Sequence, residues 1–318
     1  MPPGLPRSTR RENLAGCARS HPAMPEPSQP NRPPAASAEH PRERWLAVGL
    51  LAFTALAFWP VARWLTAQTF AHEQLKQSFF LLVLAGLWIA WERRTVLRLR
   101  LHVDNAGLAC LLGAYACVIG AFFLRTPLLV LAGLVAAAAG GVQVVFGALA
   151  LRRTVPLLAA FALLILFVLL FPVLDWPLRK MAGVESVRLL QSFGLVSQLN
   201  IVADPDVQLR LINQHGTFVV ATECNGFGLI SSSLLLGLVC LLYRRARWWK
   251  FPGLLALCLL LAFTANLLRI ATIVGLAPSF PGHYGVLHET AGLIALYAGL
   301  GTVWLLTGWQ PKPRQQQS

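Results

Sequence analysis

Residues 155–174 read VPLLAAFALLILFVLLFPVL, twenty consecutive residues without a charge or a hydrogen-bonding side chain. A helix needs about 20 such residues to cross the hydrocarbon core of a bilayer. Arg152 and Arg153 stand just before the stretch, separated from it by Thr154, and Asp175 immediately after it. This is the pattern of a membrane span with its basic end on the cytoplasmic side. Seven more apolar segments flank it, over 45–62, 76–91, 104–124, 127–150, 225–243, 251–275 and 286–307. The expected fold is therefore all-α: a polytopic membrane protein of about eight transmembrane helices. The fourth segment carries a run of small residues, Ala136 to Gly141, that allows close helix packing.

Composition excludes the other classes. Of 318 residues, 56% are hydrophobic and 13% charged, against roughly 25% charged in soluble domains. A charged shell that thin leaves too much apolar surface in water. The net charge of +14 does not mark a nucleic-acid binder. Its arginines sit in short blocks between apolar runs, as in Glu92-Arg93-Arg94 and Arg244-Arg245-Ala246-Arg247, rather than along a polar face.

Lys and Arg also give the orientation. With the N-terminus inside, the inner segments hold 19 of them and the outer segments 7, with Arg269 left inside a span. That bias favours cytoplasmic N- and C-termini. Residues 1–44, rich in Pro, Arg, Ser and Ala, are expected to form a disordered cytoplasmic tail. Residues 45–309 then form the membrane domain, and 310–318 a short cytoplasmic tail. The one sizeable outer loop is 175–224. Within it, Val184–Leu199 has helical apolar spacing and is expected to lie as an interfacial helix. Val207–Leu211 alternates with period two, and Gly216 precedes Thr217-Phe218-Val219-Val220, so a β-hairpin is expected to lead into Cys224.

Six cysteines occur, Cys17, Cys110, Cys117, Cys224, Cys240 and Cys258, with no metal-type spacing and no disulfide framework. Cys224 alone lies at the edge of an apolar run beside polar residues. The expected topology brings it to the same depth as Arg269, near the outer end of the seventh helix, and His288, in the first turn of the eighth. A thiol at a helix N-terminus is favoured as thiolate. Imidazole moves a proton near neutral pH. A fixed cation stabilises a thiolate or an oxyanion. The three types together fit an acyl-transfer site. Singly, each has a plainer reading: a small apolar core thiol, an arginine snorkelling to the interface, a structural interface histidine. An arginine inside a span is costly, about 2.5–3.5 kcal/mol on insertion scales, and is a functional candidate by default.

The surroundings of these residues resemble the exosortase/archaeosortase family. Glu223-Cys224-Asn225-Gly226, Asn266-Leu267-Leu268-Arg269 and His288-Glu289-Thr290-Ala291-Gly292 resemble its Cys-x-Gly, Asn-x-x-Arg and His-x-x-x-Gly motifs, in order, on the last three helices. The similarity extends over roughly 45–307. It departs from the common pattern at Glu223 and Asn225, where Ala and Ser are usual. The resemblance implies a cysteine protease or transpeptidase of the bacterial inner membrane, with its active site on the outer face. It implies Cys224 as nucleophile, Arg269 as electrostatic stabiliser and His288 as acid and base. Glu223, Asn225, Gly226, Asn266 and His283 are the supporting candidates, His283 also being a rival to His288 and His215 a weaker one. A carboxylate beside a thiolate is unfavourable, so Glu223 is expected either to hold Arg269 or to face away, toward Arg210. Implied partners are the lipid bilayer and membrane-anchored proteins whose C-terminal sorting signal combines a motif such as Pro-Glu-Pro, a helix and a basic cluster. No metal or organic cofactor is implied. Two other classes remain at this point: a transporter using Arg269 as an intramembrane anion site, and an assembly subunit of a polysaccharide-export system. Neither midplane charge pairs nor an internal repeat support the transporter.

Overall fold

The computed structural model describes residues 41–94, 97, 99, 101–195, 197–203, 207–213, 216–219, 224–280 and 282–308. Eight α-helices and one small sheet follow the chain in the order α1 (Pro41–Ala71), α2 (Glu73–Glu92), α3 (Asn105–Leu124), α4 (Pro127–Phe146), α5 (Ala148–Ser192), β1 (Ser197–Ala203), β2 (Val207–Asn213), β3 (Gly216–Val219), α6 (Phe227–Tyr243), α7 (Phe251–Leu276) and α8 (Tyr284–Gly308). Among the described residues, seven helices are long and apolar enough to cross a membrane, and α6 is a shorter apolar one. Large apolar side chains point outward along them, with Phe122 83%, Leu56 73% and Leu84 63% exposed. Only lipid makes such a surface tenable at this density. The chain is an all-α polytopic membrane protein.

The helices pack where small residues let them approach. At Gly140 of α4 an added Cβ would lie 2.8 Å from Leu111 of α3, and at Gly133 it would lie 2.9 Å from the Ala114 carbonyl. Asp104 closes the same pair: its carboxylate caps α3 at Gly107 N and accepts from Gln143 Nε2 of α4, each at 2.8 Å. The main core joins α1, α2, α4, α5 and α6 through residues such as Phe58, Leu75, Leu134, Leu164, Phe171 and Phe227. α6 is the most enclosed helix, buried from Phe227 to Ser233. Ser78 of α2 hydrogen-bonds Ser231 and Ser232 across their contact, at 2.7 and 3.2 Å. That satisfies hydroxyls that lipid could not.

Two features differ from the sequence expectation. Gly147, at φ +86°, ends α4, so the fifth helix starts at Ala148 rather than near 155. That helix also does not stop at 174. It continues through Pro177 to Ser192, 45 residues in all. At 1.5 Å per residue this is about 67 Å, more than twice the roughly 30 Å of a hydrocarbon core. The separate interfacial helix expected over Val184–Leu199 is thus the far end of α5, and its last residues belong to a strand. The expected hairpin is the second half of a three-stranded antiparallel meander, β1-β2-β3. β1 pairs along its whole length with β2, Ser197 opposite Asn213 through Ala203 opposite Val207.

The α5 extension and the meander form a second, smaller core over the ends of α6 and α7. Ala182, Val187 and Leu190 pack with Leu211, Cys224, Ile270 and Val274, and Phe218 closes one side. Cys224 therefore sits at the seam between the membrane bundle and this cap.

Candidate active site

Each candidate side chain is placed by a different element. Cys224 occupies a tight turn three residues before α6, 7% exposed. Two asparagines set that turn. Asn266 of α7, fully buried, donates from Nδ2 to the Cys224 carbonyl at 3.0 Å. Asn225, also fully buried, accepts from Phe227 N through Oδ1 at 2.7 Å and donates from Nδ2 to Asp175 Oδ1 at 2.6 Å. Asp175 lies on α5 and also holds Arg179 in an ion pair. Gly226 completes the turn at φ +77°, with its missing Cβ 2.8 Å from Asn266 Nδ2. Only glycine fits there, because both the backbone and the space forbid a side chain.

The functional groups then meet. His288, one turn into α8, places Nε2 3.4 Å from Cys224 Sγ. The same Nε2 lies 3.4 Å from Arg269 Nη2. Arg269 reaches it by lying across Gly292 of α8, where an added Cβ would stand 3.1 to 3.3 Å from three guanidinium atoms. The other member of each motif thus acts on geometry: Gly226 and Asn266 shape the cysteine turn, and Gly292 makes room for the guanidinium. Tyr284, one turn before His288, places its ring centroid 6.1 Å from the imidazole.

The other candidates fall differently. His283 is exposed just ahead of α8, where its carbonyl accepts from Leu287 N at 3.0 Å. Glu223 and His215 lie outside the described residues, and so does the expected contact between Glu223 and Arg269. Several site neighbours were not anticipated. Asp175 is one; it is the first acidic residue after Asp104, at the end of an apolar run, and that isolation was a usable signal. Gln74 and Gln77 of α2 are others. They line a cavity of about 250 Å³ together with Glu73, Arg269, His288 and Glu289. No local sequence pattern marks them, because only the packing of α2 on α6 brings them there. A second opening, about 510 Å³, lies on another side of His288, between β3 and the start of α8.

Chemically, an imidazole stands within contact of both a thiol and a guanidinium near a helix N-terminus. This defines a class: polytopic helical membrane proteins with a Cys–His–Arg cluster at one end of the bundle, under a small β-sheet cap. Residues 71–305 match the family model described as transmembrane exosortase. The match spans most of the chain, which therefore belongs to the transmembrane exosortase family. No curated protein and no solved structure gives a significant match.

Proposed function

We propose that the protein is a membrane cysteine peptidase or transpeptidase that processes C-terminal sorting signals of exported proteins at the outer face of the bacterial inner membrane. The observation that carries this is the 3.4 Å contact of Cys224 Sγ with His288 Nε2, itself 3.4 Å from Arg269. His288 takes the thiol proton, and the thiolate attacks the peptide carbonyl. Arg269 faces the negative charge that develops, first on sulfur and then on the carbonyl oxygen. Collapse of the tetrahedral intermediate breaks the C–N bond, and His288 returns its proton to the leaving amine. The thioester on Cys224 is then cleaved by water, giving a carboxylic acid, or by an acceptor amine, giving a new amide. Either route regenerates the thiol.

The remaining assignments belong to the same proposal. Residues 1–44 and 310–318 are cytoplasmic tails, and 45–309 is the exosortase domain. The end of the bundle carrying the meander faces outward, since the arginine blocks 93–94, 152–153 and 244–247 adjoin the opposite helix ends. Substrates carry a Pro-Glu-Pro-type motif, a transmembrane helix and a basic cluster. The test is a reporter with such a signal, expressed with the full chain in a host that lacks exosortases. Wild-type protein should shorten the reporter, whereas Cys224→Ala and His288→Ala should not, at unchanged protein level. Processing that survives Cys224→Ala would remove Cys224 as the nucleophile, and no processing by wild-type protein would favour a transporter or an export-assembly subunit instead.

A further inference from the structure

We propose that the substrate segment at the cleavage site binds as an added β-strand on the outer edge of β3. This rests on the peptide-transfer function above and specifies how the peptide is held. β3 is an edge strand: β2 covers one side, and no described strand pairs with the other. Asn213 and Gly216 are partners across a connection of two residues. In such a hairpin the closing pair is hydrogen-bonded and the next pair is not, so the pattern alternates along the strands. Ile212 opposite Thr217, and Arg210 opposite Val219, are therefore the non-bonded pairs. The backbone N–H and C=O of Thr217 and Val219 consequently point away from β2.

They point at the groove that leads to the reacting groups. Thr217, Phe218 and Val219 form one wall of the 510 Å³ opening, and Tyr284, Gly285 and His288 of α8 form the other. At Gly285 nothing lies within 4 Å of where a side chain would begin, so the groove is open at that wall. An adjoining crevice is lined by Phe218, Val219, Tyr284 and Cys224. An extended peptide in the groove would take its backbone hydrogen bonds from Thr217 and Val219. It would also present a carbonyl to the Cys224–His288 pair. Strand addition supplies affinity through the main chain and leaves sequence choice to alternate side chains. It also holds the peptide extended, the form in which a cysteine can reach the carbonyl.

Two measurements test it. Val219→Pro removes an outward N–H while sparing the β2 ladder, a position where proline is tolerated. It should lower reporter processing at least tenfold, with the protein at normal level and its Tm in detergent unchanged. In a Cys224→Ala background, Thr217→Cys should form disulfides with reporter cysteines placed one by one through the motif region, and only at alternate positions. Full processing by Val219→Pro, or crosslinks at consecutive positions or at none, would overturn strand addition while leaving the enzymatic function standing. Absence of processing by wild-type protein, or processing that is indifferent to Cys224→Ala, would instead remove the cysteine-peptidase function on which this inference rests.

Discussion

At the scale of single residues, the turn Cys224-Asn225-Gly226 does most to define the site. Its thiol is buried, its carbonyl is held by Asn266, and its glycine is in the left-handed region with Asn266 packed on it. Gly226→Ala should therefore cost more than the roughly 1–2 kcal/mol that a left-handed conformation imposes on an L-residue, since the new methyl also displaces Asn266. A lowered Tm in detergent, with loss of processing, is the expected result. Gly292 offers a finer gradation. Gly292→Ala puts a methyl 3.1–3.3 Å from the Arg269 guanidinium, which can shift by a few tenths of an ångström. Processing should fall only a few-fold there, but at least tenfold for Gly292→Val, with Tm nearly unchanged in both. A large stability loss with unaltered processing would mean that Gly292 serves helix packing rather than Arg269. The residue types of the site were legible in the sequence because each is anomalous where it stands: a thiol beside polar residues, a cation in a span, an imidazole at a span's edge. The functions of Gly226 and Gly292 were not, because both depend on the distance between two helices.

At the scale of elements, the extension of α5 is the principal difference from what the sequence suggested. The apolar run ends at Leu174, but the helix continues to Ser192, so the end of the apolar run is not the end of the helix. Beyond it, Asp175–Ser192 keeps an amphipathic helical pattern whose apolar face packs on the meander. The strand Ser197–Ala203 was masked for a related reason. Helical spacing runs on through Leu199 in sequence, and only pairing with β2, a long-range contact, reveals the strand. The extension matters because it delivers Asp175. Removing that carboxylate leaves the buried Asn225 amide without its acceptor and Arg179 without its ion pair, at about 1–3 kcal/mol for the amide alone. Asp175→Ala should lower both Tm and processing. Asp175→Asn, which keeps an acceptor for Asn225, should be milder in both. Equal effects of the two would assign the importance of Asp175 to the Arg179 pair.

At the scale of the whole molecule, the two ends of the bundle differ in charge. Arginine-rich connections gather at one end, while Cys224, His288 and Arg269 share the other. Cys224 is too buried to report on this by labelling, but Thr217 is exposed. An impermeant thiol reagent should label Thr217→Cys in intact spheroplasts, and Cys17 only after permeabilisation. The reverse pattern would put the site in the cytoplasm and remove exported proteins as its substrates. The central claim, that acyl transfer runs through a thioester on Cys224, is tested most directly by trapping with hydroxylamine. With reporter, wild-type membranes and rising hydroxylamine, mass spectrometry of the shortened reporter should show a C-terminal hydroxamate at the cleaved position, absent with Cys224→Ala. A free carboxylate at every hydroxylamine concentration, or a hydroxamate formed equally by Cys224→Ala, would contradict it.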